Sequence, residues 1–203
     1  MTRRGRFVVI EGADATGKST QVARLAARVR EHGVEVVETF EPGSTEAGRA
    51  IRELLLAGDR QIAPSTEALL MAADRAQHVQ EVVRPAVERG TVVVSDRYLP
   101  SSLVYQGVVR GLGADAIGDI NRLATEGLEP DLVVVLDVAD DAAEARRASD
   151  ADRFEREGAG FQREVRRAYR ELAEKEGWVL VDANGSIEEV AGRVWRAAEG
   201  CLE

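Results

Sequence analysis

The sequence is poor in several residue types, and each shortage excludes a class of protein. A single cysteine among 203 residues allows no disulfide within the chain and no cysteine-rich metal site. Four Phe, three Tyr and two Trp are scattered along it, so no row of rings is available for stacking on a single-stranded nucleic acid. Asp and Glu outnumber Lys and Arg by 36 to 27, and the net charge of −9 repels the phosphates of nucleic acids. We therefore expect no nucleic acid partner.

Long apolar runs are missing as well. The basic residues at the start of the sequence are followed by the apolar run 7–10, which is too short for a signal peptide core or a membrane span. These features predict a cytoplasmic protein without a membrane partner. Hydrophobic residues make up 44% of the chain, enough for one sizeable core, and we expect a single domain over residues 1–203.

Segments typical of strands alternate with segments typical of helices. Residues 7–10 form a β-branched run, and after a turn with glycine Val22, Leu25 and Val29 recur at the spacing of one helix face. The further predicted strands are 34–40, 91–95, 132–138 and 178–181, and the further predicted helices are 45–57, 65–89 with a kink or break at Pro85, 101–109, 115–126, 161–172 and one that opens with a capping box at Ser186. Apolar strands separated by helices predict the α/β class, with a doubly wound parallel sheet that binds ligands at the carboxyl ends of its strands.

One charged stretch, 146–157, interrupts this alternation. Its arginines are interleaved with aspartates and glutamates, and it has no apolar face to bury. Composition alone favours a solvated connection between helices, and a loop or lid is the alternative.

Residues 12–19, GADATGKS, match the phosphate-loop pattern G-x-x-x-x-G-K-[ST] between the first predicted strand and the first predicted helix. The glycines let backbone N–H groups surround phosphate oxygens, the helix N-terminus adds its dipole, and Lys18 supplies a positive charge. The Ser19 hydroxyl would ligate Mg²⁺. A glycine turn with an exposed lysine is the alternative interpretation. The predicted ATP-binding residues are Gly12, Ala13, Asp14, Ala15, Thr16, Gly17, Lys18, Ser19 and Thr20.

The use of the triphosphate is a separate question, since phosphate-loop proteins include switches, ATPases and kinases. A GTPase switch needs an N-K-x-D motif, and neither Asn121 nor Asn184 is followed by lysine. Asp96 and Arg97 directly follow the third predicted strand, where they could serve an anionic acceptor or form a plain surface ion pair. A nucleoside monophosphate kinase and an ATPase or switch that drives a partner both remain open at this point.

Residues 96–107, DRYLPSSLVYQG, resemble the signature of thymidylate kinases, the enzymes that phosphorylate dTMP. Other segments are similar to that family in order and spacing: EGAD and GKST around the phosphate loop, EPG at 41–43, GRAIR at 48–52, ADR at 73–75 and GLEPDL at 127–132. The resemblance extends from about residue 6 to about residue 200. It implies a P-loop nucleoside monophosphate kinase fold, ATP and dTMP as substrates, dTDP as product, Mg²⁺ as cofactor and a homodimer. A kinase for another nucleoside monophosphate is the alternative within this class.

The resemblance also implies roles for single residues. Arg52 and Arg97 would hold the acceptor monophosphate, and Asp14 would lie near the sugar 3′-hydroxyl. The implied metal ligands are Ser19 and Asp96, the latter directly or through water. The full set implied for dTMP binding is Asp14, Glu41, Arg52, Met71, Arg75, Arg97, Ser102, Tyr105 and Gln106.

Within that set, Arg75 and Gln106 would read the thymine edge, with Ser102 close by. Tyr105 would lie under the sugar and disfavour a 2′-hydroxyl. The spacing supports this independently, because Ser102, Tyr105 and Gln106 fall at i, i+3 and i+4, on one face of a helix.

The branch of the family is indicated by the residue after Asp14. One branch has arginine there, and the other, bacterial-type branch takes its catalytic arginine from a lid. Here that position is Ala15, and DRFE at 152–155 resembles the lid segment, which implies a lid at about 146–158. The implied catalytic residues are Lys18, Arg97 and Arg153.

Two positions depart from the bacterial pattern. Phe40 stands where arginine usually precedes EPG, and Met71 stands where a phenylalanine usually stacks on the base. Met71 shares a helix face with Arg75, so it is expected against the base, with filling of the helix core as the alternative. His32 and His78 have no metal partner at ligand spacing and receive no role.

Overall fold

The computed structural model describes residues 4–57, 61–139 and 157–202. The strands are β1 Phe7–Glu11, β2 Val36–Phe40, β3 Val92–Asp96, β4 Leu132–Asp137 and β5 Val179–Asp182. The helices are α1 Lys18–Glu31, α2 Glu46–Leu56, α3 Pro64–His78, α4 Arg84–Glu88, α5 Leu99–Ser102, α6 Ala114–Thr125, α7 Gly158–Glu176 and α8 Ile187–Leu202, with π-helical segments at Val79–Val83 and Leu103–Val109. All of the predicted lid except its last two positions, and with it Arg153, lies outside the described residues.

The five strands form one parallel sheet in the order β2-β3-β1-β4-β5, which confirms the predicted doubly wound α/β class. Asp96 at the end of β3 pairs in register with Ile10 of β1 and with Phe40 of β2. The loops that leave these three strands therefore begin side by side.

Alternation along the central strand β1 divides the core into two layers. Phe7 and Val9 pack into one apolar cluster, whereas Val8 and Ile10 pack into the other, on the opposite face of the sheet. All of β1 is buried, as expected for a parallel strand covered by helices on both faces. None of the described helices is long and apolar enough to cross a membrane.

The helix predicted at 65–89 with a kink or break at Pro85 is not interrupted there, and a π-helical turn precedes the proline instead. The helical chain runs without a gap from Pro64 to Glu88, and the turn at Val79–Val83 lies just before α4, where Pro85 is in the first turn. Proline has no N–H to donate, so a local change in the hydrogen-bond pattern accommodates it.

Candidate active site

The carboxyl ends of β1, β2 and β3 open into a cleft of about 510 Å³. Every residue predicted to bind dTMP lines it, together with Lys18, Ser19 and Asp96 from the predicted phosphate and metal sites. The structure therefore brings together residues that are as far apart in sequence as Asp14 and Gln106. Their roles in binding stay predictions.

The phosphate loop occupies the turn between β1 and α1. Gly12 has φ +141°, and a Cβ there would lie 2.7 Å from the backbone oxygen of Leu136, so only glycine fits. Gly17, with φ +89°, starts α1 in a left-handed conformation. Ala15 also has a positive φ, of 62°, which is rare without glycine and typical of functional loops.

Lys18 lies at the base of this loop. Its Nζ donates a hydrogen bond to the backbone oxygen of Ala13 at 2.7 Å. Burial, with repulsion from Arg97, lowers the pKa of Lys18 to about 8, although Asp96 and Asp14 oppose the shift. The ammonium is thus charged at neutral pH but poorly solvated, and a bound anion would stabilise its charge.

Ser19 and Asp96 meet beside the loop. The Ser19 hydroxyl donates to Oδ2 of Asp96 at 2.6 Å. Hydroxyl and carboxylate oxygens are the ligands that Mg²⁺ prefers, with water and substrate phosphates completing its shell, so this pair fits the ion.

Asp14 and Arg97 form an ion pair across the cleft, with Arg97 Nη2 2.5 Å from Asp14 Oδ1. The Tyr105 hydroxyl lies 3.3 Å from the same oxygen, and Gln162 of α7 donates to Oδ2 at 2.8 Å. Burial alone would raise the pKa of Asp14, but the charges of Arg97 and Lys18 hold it below its usual value. The carboxylate is therefore ionised and fixed from both sides.

Glu11 supports the loop that carries Arg97. Its buried carboxylate accepts hydrogen bonds from the backbone N–H groups of Tyr98 and Ser101, from the Ser101 hydroxyl and from the Tyr169 hydroxyl of α7. Burial raises the pKa of Glu11, although Arg97 and these bonds oppose it. Arg97 itself has a φ of +73°, a conformation that this network holds in place.

Arg75 is the residue that the family resemblance implies to contact the thymine edge. It is the largest wholly buried side chain at the site. Its Nε and Nη2 donate to Oε2 of Glu41 at 2.9 and 2.8 Å. Its Nη1 donates to Ser102 at 3.1 Å and to Asn121 of α6. The guanidinium is thus rigidly aimed at the cleft that it lines.

Glu41 is in turn held by His78, which received no role from the sequence. Nδ1 of His78 lies 2.8 Å from Glu41 Oε1, and Nε2 lies 2.7 Å from the Thr39 hydroxyl. Nearby, Asp74 accepts from the Gly43 N–H at 2.9 Å, and burial, together with the charge of Glu41, raises the pKa of Asp74 to about 6. These bonds fix the EPG segment against α3.

The two departures from the bacterial pattern both face the cleft. The ring of Phe40 is 43% exposed, and the Arg52 guanidinium lies 5.9 Å from its centroid. Met71 lines the cleft and also packs against the core cluster that contains Phe7. Its position is therefore compatible with both alternatives from the sequence, contact with the base and filling of the core.

Sequence reasoning missed the residues that support the site from behind. These are Glu11, Glu67, His78, Asn121, Gln162 and Tyr169. Glu11 ends the buried strand β1 and begins the EGAD motif, and a carboxylate at that position could have been recognised as a site residue. For Gln162 and Tyr169 no local signal exists, since α7 meets Asp14 and Glu11 only through the fold.

A family model for thymidylate kinase matches residues 10–194. The chain belongs to the thymidylate kinase family. The membership makes it an ATP-dependent phosphotransferase and confirms the predicted kinase over an ATPase or switch.

Curated proteins named thymidylate kinase are similar over almost the whole chain. The chain is 43% identical to the one from Halothermothrix orenii, covering 98% of this chain and 99% of the relative. It is 49% identical to the one from Clavibacter sepedonicus, with 94% and 92% covered. For Thermomicrobium roseum the identity is 46%, with 93% and 92% covered.

The buried pairing of Glu41 generates a prediction about stability. Glu41→Ala leaves the Arg75 guanidinium buried without its carboxylate, and we expect a loss of about 3–5 kcal/mol in the free energy of unfolding. The control is Glu188→Ala, because the pair of Glu188 with Arg24 is 72% and 54% exposed and should contribute less than about 1 kcal/mol. Urea unfolding measures both, and equal small losses would contradict the assigned role of Glu41.

Proposed function

We propose that this chain transfers the γ-phosphoryl group of ATP to dTMP, giving dTDP. The observation that supports this most strongly is that one cleft contains both the phosphate loop and the arginines Arg52, Arg75 and Arg97. A hydrolase needs only the triphosphate site, whereas a second anionic substrate needs cations of its own. The names of the family and of its relatives point to dTMP as that substrate.

Arg52 and Arg97 are proposed to hold the acceptor monophosphate. Arg52 donates to the backbone oxygen of Pro42 at 2.7 Å, and Arg97 donates to that of Gly12 at 3.3 Å. A phosphate accepts such bonds more strongly than a neutral carbonyl does. Asp14, beside Arg97, is proposed to lie near the 3′-hydroxyl, and Tyr105 to crowd the 2′ position.

Arg75, Ser102 and Gln106 are proposed to bind the thymine edge. All three are buried and line the cleft, as does the half-buried Met71. Because Arg75 is already fixed by Glu41, little side-chain freedom remains to be lost on binding.

On the donor side, the phosphate loop with Lys18 is proposed to bind the ATP phosphates. Ser19 and Asp96 would hold Mg²⁺ there, directly or through water. When bound, the ion supplies positive charge that neutralises phosphate oxygens.

The acceptor phosphate is already ionised at neutral pH, so no general base is needed. We propose an in-line transfer without a covalent enzyme intermediate, in which positioning and charge neutralisation by Lys18 and Arg97 lower the barrier. Arg153, outside the described residues, is proposed from the family resemblance as a further catalytic cation.

A coupled assay for ADP, run with and without dTMP, tests the proposed function. We expect ADP release to depend on dTMP, and Lys18→Ala to lower the rate by more than about tenfold while the circular dichroism spectrum is kept. Equal ADP release without dTMP would instead indicate an ATPase. A Lys18→Ala rate within about tenfold of the wild type would contradict the phosphate-binding role of Lys18.

Met71→Phe tests the base-binding role of residue 71. An aromatic ring stacks on a base with about 0.5–1.5 kcal/mol beyond simple burial, so dTMP should bind about two- to tenfold more tightly. ATP affinity should hardly change, which provides the internal control in calorimetry. If Met71 serves the core instead, the larger ring lowers the melting temperature by overpacking and dTMP affinity does not improve.

We further propose that two copies of this chain form a homodimer. Leu69 of α3 and Leu123 of α6 are 57% and 85% exposed, on two helices that pack against each other. Leucines exposed to this extent on neighbouring helices are typical of an interface, and the family resemblance indicates a second copy as the occupant.

Sedimentation velocity tests the dimer. The wild type should sediment as a dimer at micromolar concentration, and Leu123→Glu should shift it to the monomer because the interface would have to bury a charge. Leu180→Glu is the control, since Leu180 is also exposed, by 44%, but lies on β5 at the far edge of the sheet. A monomeric wild type, or dissociation by both variants, would contradict the proposal.

A further inference from the structure

Glu67 of α3 lies behind the cleft and has no part in the reaction described above. Its side chain is wholly buried, and its Oε1 accepts a hydrogen bond from Nε2 of Gln106 at 2.8 Å. Gln106 is itself only 1% exposed. A buried amide in contact with a buried carboxylate has few ways to satisfy both groups.

Arg110 determines which way the amide of Gln106 is turned. Its guanidinium donates to both oxygens of Glu67, from Nε and from Nη2, each at 3.4 Å. An ionised carboxylate paired in this way only accepts hydrogen bonds, so the NH₂ group of Gln106 must face it. The amide oxygen of Gln106 then points away from Glu67, and no described residue donates a hydrogen bond to it.

We infer that Glu67 is a positioning residue that sets the base specificity of the cleft. By fixing the amide of Gln106, it makes the cleft offer one hydrogen-bond acceptor together with an N–H of Arg75 Nη2, since Glu41, Ser102 and Asn121 take the other donors of that guanidinium. This inference rests on the proposed function, in which Gln106 and Arg75 meet the base of the acceptor.

The hydrogen-bonding edges of the pyrimidine bases differ in a way that makes this arrangement selective. Thymine and uracil present an N3–H donor beside the O4 carbonyl, which matches an acceptor from Gln106 and an N–H donor from Arg75. Cytosine presents an N3 lone pair beside an amino group, so a lone pair would meet the Gln106 oxygen and an N–H would meet Arg75. Buried polar groups left unpaired in this way are strongly disfavoured.

Glu67→Gln, assayed with dUMP and dCMP, tests the inference. The two acceptors both lack the methyl group of thymine and differ at the edge in question. Glutamine can donate as well as accept, so Gln106 is free to turn over. We expect the ratio of kcat/KM for dUMP to that for dCMP to fall at least about tenfold, chiefly through KM.

Glu157→Gln is the matched control. Glu157 accepts a hydrogen bond from Arg110 at 2.7 Å, so this variant disturbs the same guanidinium without altering Glu67. Its acceptor ratio should equal that of the wild type.

The outcomes separate the inference from the proposed function. Wild-type protein that does not phosphorylate dTMP would overturn the proposed function. Wild-type activity with an unchanged ratio in Glu67→Gln, even if both rates fall together, would overturn the inference alone, since a merely structural role moves both acceptors equally. If Glu67→Gln does not fold, Glu67→Met decides. Methionine is of similar size but accepts hydrogen bonds only weakly, so the Gln106 amide is again free to turn over. The ratio must fall there too, and an unchanged ratio overturns the inference.

Discussion

The ion pair between Asp14 and Arg97 joins the two loops on which the site is built. Asp14 belongs to the loop after β1 and Arg97 to the loop after β3, and these strands are neighbours in the sheet. The pair is mostly shielded from water, where a charge interaction is stronger than at an exposed surface. Glu11 and Tyr169 brace the Arg97 side of this junction from below.

The cations of the cleft are held by other groups of the protein. Arg75 is fixed by Glu41 and Asn121, Lys18 by the backbone oxygen of Ala13, and Arg97 by Asp14. Held groups lose little conformational freedom on binding, and they face developing charge without reorganising. The support behind each cation is therefore as much a part of the site as the cation itself.

Helix α7 and the π-helical segment Leu103–Val109 connect the acceptor side to the rest of the fold. The segment carries Tyr105 and Gln106, and π-helical turns are frequent at functional sites because they reorient side chains locally. From α7, Gln162 reaches Asp14, and the ring of Phe161 lies 6.1 Å from that of Tyr105. Substitutions in α7 can therefore act on the acceptor site from a distance.

The sequence by itself determined the fold class and the phosphate loop, and its resemblance to a known family indicated most of the other residues that line the cleft. Apolar strands that alternate with helices are compatible with few topologies, and the phosphate loop needs its glycines and Lys18 at fixed spacing. Both patterns lie within short stretches of sequence and can be recognised there. Only the tertiary structure decided how those residues are supported. Glu67 meets Gln106, and Glu11 meets Tyr169, across 39 and 158 positions of sequence. Such partners become visible only when burial forces each polar group to find a hydrogen bond, because that requirement acts through space and leaves no periodic pattern in the chain.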